Sequence, residues 1–154
     1  MQEKRALKAK ALFEEGYNCA QAMLGAYHDL CGLEFEQAVR LAAPFGGGIG
    51  RMREVCGALT GMFMVIGLLK GYTDPGDDEA KAQLYGLTQN LALRFKEENG
   101  SIICRDLLGE DDSPKTHIPD KRTKEYYEER PCAGLIEFAG NLLDEILNNE
   151  KGDL

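Results

Sequence analysis

The sequence predicts an all-α, single-domain helical bundle of about six or seven helices, with residues 1–154 forming one unit around a buried core helix. Three observations carry that prediction. Apolar residues recur at three- and four-residue spacing almost everywhere, and no stretch alternates with period two long enough to build a sheet. Gly, Pro and Asn punctuate the chain at the intervals helices require, with no repeat and no linker that would divide it. Finally, 154 residues with 44% hydrophobic content are enough for one core.

Residues 2–15 read as a charged, Ala-rich helix stopped at Gly16. Residues 18–31 read as a second helix, with Ala20, Met23, Leu24, Tyr27 and Cys31 on one stripe, Asn18 as its N-cap and Gly32 just past its end. Residues 34–43 form a short third helix ended by Pro44. A glycine run, Gly46–Gly50, then leads through Arg51 and Arg53 into the apolar stretch 55–69, the core helix. That stretch is too short to span a bilayer. Asp74-Pro75-Gly76-Asp77 is a turn, followed by a long amphipathic helix over 78–98 with Leu84, Leu87, Leu91 and Phe95 on one face. A short helix is expected over 101–108, with Ser101 as candidate N-cap, then a polar loop over 109–123 and a short charged helix over 124–130. The last helix, 131–149, carries a wide apolar face that would suit a homodimer if it is exposed.

The formal net charge of -8 excludes a nucleic-acid or anionic-membrane surface as the default partner. Residues 1–10 are charged throughout and read as no secretory leader, so a cytoplasmic protein is the expectation. In that compartment, grouped cysteines point to metal or redox chemistry more often than to structural disulfides.

Four of the five cysteines fall in the first turn of a predicted helix: Cys19, Cys56, Cys104 and Cys132. Unpaired N–H groups and partial positive charge at a helix start favour thiolate, the form that binds metal or attacks a disulfide. Each of the four precedes apolar residues by three or four positions, so all four lean toward the core side of their helices, from where they could meet in one pocket. Four thiolates in one place need a cation or a cluster, either tetrahedral zinc or an iron–sulfur cluster. Against this stands the absence of any Cys-x-x-Cys pair, and free cysteines often pack as small hydrophobes. Cys31 sits at a helix end, where the dipole disfavours thiolate, and is assigned to packing.

Gly46, Gly47 and Gly48 are the candidate cofactor-binding glycines, on the reading that the run cradles an anion with Arg51 or Arg53. The run has neither the dinucleotide nor the Walker spacing, and close passage of backbone past a helix or a cluster is the preferred reading. Gly57 and Gly61 are spaced for a tight helix crossing. His28 is expected to be part-exposed and His117 solvated, and no carboxylate pair suggests acid–base catalysis.

The residues Asn18-Cys19-Ala20-Gln21, Phe45–Gly50 and Val55–Gly61, followed by single cysteines at 104 and 132, resemble the C_GCAxxG_C_C family of redox-active proteins over roughly 16–135. The family's four cysteines fall on Cys19, Cys56, Cys104 and Cys132, leaving Cys31 outside. A related domain occurs in split-Soret cytochromes, which carry an iron–sulfur cluster beside haem. Here no Cys-x-x-Cys-His is present, so covalent haem is not implied. The resemblance implies a cysteine-held iron–sulfur cluster serving electron transfer with a redox partner that it does not identify. Structural zinc, thiol–disulfide chemistry between two of the cysteines, and a helical interaction module in which the cysteines only pack are the alternatives.

Overall fold

The computed structural model describes residues 4–152, with side chains through Asn149. Its helices are α1 (Arg5–Glu14), α2 (Cys19–Ala26), α3 (Phe35–Ala42), α4 (Gly57–Lys70), α5 (Asp78–Asn99), α6 (Cys104–Leu108), α7 (Lys124–Glu129) and α8 (Cys132–Gly152), with a 3-10 turn at Ala43–Phe45. Among the described residues there is no strand, only an isolated antiparallel bridge between Val55 and Ile103. The all-α expectation holds. Among the described residues there are eight helices, the expected charged one after Thr123 included as α7, with the Thr123 hydroxyl accepting from the Tyr126 N–H at 3.2 Å.

Two helices share the centre. α4 buries Gly57, Ala58, Leu59, Gly61, Met62, Val65 and Ile66, while its last turn is exposed at Leu68 and Leu69. α2 is the more enclosed: it packs on α1, α3, α4 and α8, and Ala20, Ala22, Met23, Leu24 and Ala26 lose all contact with solvent. The two helices cross closely because α4 is glycine where it meets α2. A Cβ at Gly57 would stand 2.8 Å from the Cys19 Cβ, and one at Gly61 would stand 2.6 Å from the Met23 Cβ. Only glycine lets the backbones approach that far.

Three boundaries differ from the sequence reading, each for a tertiary reason. α2 stops at Ala26 rather than near 31, because the Arg5 guanidinium takes the Ala26 carbonyl at 3.0 Å and grips Asp29 at 2.6 and 2.9 Å. Residues 27–32 close into turns, so Cys31 lies in a turn rather than on the helix. α6 starts at Cys104 with Ile103 as N-cap; the Ser101 hydroxyl instead accepts from the Ile103 N–H and donates to Asp106. Val55 lies outside α4, where it pairs with Ile103. The apolar face of α8 is not exposed: Leu135, Ile136, Ala139, Leu142 and Leu143 are buried, and α8 packs mainly on α1. That face is therefore taken within the chain, so it is not the exposed face that would have suited a homodimer.

At the opposite ends of α2 and α8 the buried polar groups satisfy one another. The Tyr27 hydroxyl lies 2.7 Å from Asp144 Oδ1 and 3.1 Å from the Gly140 carbonyl. The other Asp144 oxygen accepts from the Ala6 N–H at 3.1 Å, which caps α1.

Candidate cysteine cavity

Helix starts define the site. Cys19 is the first residue of α2, behind Asn18, whose side chain accepts from the Gln21 N–H while Gln21 reaches back to the Asn18 N–H. Cys56 holds the N-cap of α4, Cys104 opens α6 and Cys132 opens α8, where the Pro131 carbonyl takes the first helical bond from Leu135. These four helix starts surround one cavity of about 400 Å³, and all four cysteines line it. Cys31 does not line it and packs against the core instead. All five thiols are free.

A short antiparallel backbone ladder sets two of the four in register. The Cys56 N–H donates to the Ile102 carbonyl at 2.9 Å, the Cys104 N–H to the Glu54 carbonyl at 2.6 Å, and the Arg105 N–H to the Arg53 carbonyl at 3.1 Å. Cys19 and Cys132 come together differently, through the packing of α2 on α8.

The glycine run forms the remaining wall. Gly47, Gly48, Ile49, Gly50 and Arg51 take positive φ in succession, from +56° to +73°, and Arg53 follows at +61°. This is a left-handed turn, closed by bonds such as Gly50 N–H to the Pro44 carbonyl at 2.7 Å and Glu54 N–H to the Gly48 carbonyl at 2.9 Å. Ile49, Arg51 and Arg53 are unfavourable there, at roughly 1–2 kcal/mol each. Strain of that size is retained where surrounding structure dictates the path. A Cβ at Gly48 would stand 2.7 Å from the Cys104 Cβ and from the Glu54 nitrogen. The close-passage reading of the run therefore has a physical basis. Gly46, Gly47 and Gly48 also line the cavity, and among the described residues the N–H groups of Gly47 and Gly48 have no hydrogen-bond partner.

Four arginines line the same cavity: Arg51, Arg53, Arg122 and Arg130. Arg53 is 3% exposed; its Nε donates to Glu110 at 3.0 Å and its Nη1 lies 4.0 Å from the Cys104 sulfur. Arg122 donates to the Phe13 and Tyr17 carbonyls and lies over the rings of Phe13, Tyr126 and Tyr127. Arg51 and Arg130 share the carboxylate of Asp120. Four guanidinium groups thus face two carboxylates, a local positive excess in a chain of net charge -8.

The thiols do not all behave as helix starts alone would dictate. The N–H groups of Ala58 and Leu59 favour a Cys56 thiolate, but burial outweighs them and pushes this thiol up to about 12. Burial likewise raises Cys104, against the pull of Arg53. Cys19 and Cys132 act as a pair. Cys19 is raised as the hydrogen-bond donor to Cys132, with desolvation adding to the shift; Cys132 is lowered by accepting that bond, helped by Arg130, Arg122 and Arg53. With no metal present, burial therefore works against the helix-start effect at Cys56 and Cys104, while Cys132 is the thiol that its surroundings lower.

His117 is exposed yet reaches the cavity rim, together with Pro119, Asp120 and Tyr126. His28 packs its ring on Phe35 and bonds the Leu33 carbonyl, away from the site. Sequence reasoning did not find Arg122, Arg130, Asp120 or Tyr126. No motif marks them, since they reach the cavity only through the path of the polar loop. Among the described residues, no three His, Cys, Asp or Glu side chains converge closely enough to hold a single metal ion, and no helix is long and apolar enough to cross a membrane.

A family model described as "Putative redox-active protein (C_GCAxxG_C_C)" matches residues 17–146, most of the chain and all four cavity cysteines. No curated protein and no solved structure matches.

Proposed function

The chain belongs to the C_GCAxxG_C_C redox-active family, and from that premise we propose that Cys19, Cys56, Cys104 and Cys132 hold an iron–sulfur cluster for electron transfer. The carrying observation is a single cavity walled by four cysteine-bearing helix starts and an excess of guanidinium charge. A cluster bound through four thiolates is anionic, and both the helix starts and the arginines offset that charge. Zinc fits less well: it draws its ligands to ~2.0–2.3 Å of one point, and the described side chains do not converge in that way. A cavity of about 400 Å³ has room for a larger group such as a cluster.

Each residue then has a task. The ladder between 53–56 and 102–105 fixes Cys56 and Cys104, and the Asn18 capping box fixes Cys19. Arg53 directs N–H density at the Cys104 sulfur, and Arg122 is held on the cavity wall over the rings of Phe13 and Tyr126. A cluster so held supplies one-electron transfer at a potential set by these hydrogen bonds and by burial. The reading includes a reducing, cytoplasmic setting and a separate electron partner.

The test is anaerobic purification with iron and sulfide analysis, before and after reconstitution. Alanine at any one of the four cavity cysteines should abolish iron binding, because the site fails as a unit. Cys31→Ala should leave it intact. A wild-type protein that takes up no iron under these conditions defeats the proposal.

A second reading is favoured by the closeness of the Cys19 and Cys132 thiols, which line one cavity and shift each other's acidity in opposite directions. These two thiols would join as a disulfide, giving two protons and two electrons to a low-molecular-weight disulfide, which is reduced to two thiols. Differential alkylation before and after mild reduction would show protection of Cys19 and Cys132 alone. Equal labelling of all thiols in both states rejects it.

A further inference from the structure

Asp120 holds an unusual place. It sits on the irregular segment between α6 and α7, and its carboxylate is gripped by two arginines from different parts of the chain. Arg51 Nη1 lies 3.4 Å away and Arg130 Nη2 2.6 Å away, both on the same oxygen, Oδ2. The arginine side chains are largely enclosed, at 18% and 20% exposure, whereas Asp120 is 45% exposed. All three residues line the cysteine cavity.

Two guanidinium groups turned toward one oxygen are the geometry that recognises a carboxylate or an oxyanion. One carboxylate cannot neutralise both. A third arginine on the same cavity, Arg122, has only carbonyls, a hydroxyl and aromatic rings as partners among the described residues. The unbonded N–H groups of Gly47 and Gly48 lie on the wall as well. So the mouth of the cavity keeps a positive excess even with Asp120 in place.

We propose that this mouth binds a small anion, a carboxylate or a tetrahedral oxyanion, between Arg51 and Arg130, and that Asp120 is an internal stand-in which the anion displaces. The enclosed arginines are the fixed part of the site, held by the left-handed turn and by the start of α8. Asp120, exposed and on a segment without regular structure, is the part that yields. An anion there stands on the same cavity wall as the four cysteines. The binding site itself requires only the arginines, so it stands independently of the iron–sulfur reading.

The test is calorimetric titration of the full chain with inorganic phosphate and, separately, with acetate, in a chloride background of constant ionic strength. Removing the competing carboxylate in Asp120→Ala should tighten binding of one of the two anions by about three- to tenfold. Arg130→Gln should weaken it by at least as much. Tightening with phosphate supports the oxyanion form of the site, and tightening with acetate supports the carboxylate form. A folded Asp120→Ala protein, verified by circular dichroism, that binds neither anion more tightly than wild type overturns the proposal: Asp120 is then an ordinary ion-pair partner. Should Arg130→Gln fail to fold, the Asp120→Ala comparison decides alone. Iron content measured on the same samples separates the two readings. Iron without an anion response defeats only the anion site, and an anion response without iron defeats only the cluster.

Discussion

At its first turns α4 carries Cys56, Gly57 and Gly61, pressed against α2 so closely that a methyl group at either glycine would meet backbone or Cβ atoms. At its last turn the same helix carries Gly67, Leu68 and Leu69, where a Cβ on Gly67 would meet nothing within 4 Å and both leucines are exposed. The cavity end also holds the left-handed turn, the buried Arg53 and the excess of arginine. Away from it, polar groups are closed among themselves, as in Tyr27 with Asp144 and Arg5 with Asp29. One helix therefore joins a region built for ordinary packing to a region that accepts backbone strain and uncompensated charge. Backbone strain of this kind persists only where the surrounding structure over-determines it.

The largest effect expected from breaking this contrast is in glycine. Gly48→Ala forces a Cβ into Cys104 and the Glu54 backbone at a φ of +73°. It should cost about 3–5 kcal/mol and disperse the cavity thiols. Gly61→Ala should cost about 2–3 kcal/mol by prising α4 from α2. Gly67→Ala, at the open end of the same helix, should instead stabilise by about 0.5–1 kcal/mol. Urea denaturation of the three variants reads all of this, and equal losses at Gly61 and Gly67 would erase the contrast.

An intermediate effect sharpens it at the satisfied end. Tyr27→Phe removes the hydroxyl shared by Asp144 and Gly140 inside the core. It should cost about 1–3 kcal/mol while leaving cavity chemistry and iron uptake unchanged. Loss of iron in a variant that still folds would show that the two ends are coupled.

The most gradual effect, spread over several units, is in pH. Burial holds the Cys56 thiol up to about 12, whereas in the unfolded chain it ionises near 8.5. A thiol raised in this way contributes stability that is fully present below the unfolded value and is lost as pH rises toward 12. The iron-free protein should therefore weaken with alkalinity above about pH 8.5, by at most ~1.4 kcal/mol per unit from this group. Cys56→Ala should show a shallower alkaline slope in urea midpoints measured from pH 8 to 11. Identical slopes would mean that the thiol is not buried neutral.

The sequence by itself determined the helical class, most helix starts, the Asn18 cap, the stop at Pro44, the close crossing at Gly57 and Gly61, and the division of four cysteines from Cys31. These follow from periodicity, capping and chain reversal, which depend on residues within about four positions of one another. Only the tertiary structure decided that the four helix starts face one cavity, that four arginines line it, and that burial raises the Cys56 and Cys104 thiols. Arg53 meets Glu110 across 57 positions and Arg51 meets Asp120 across 69, separations at which neither periodicity nor capping carries information. Charge compensation and desolvation come from such pairs, so the helices were legible one at a time, and the electrostatics of the site exist only after they pack.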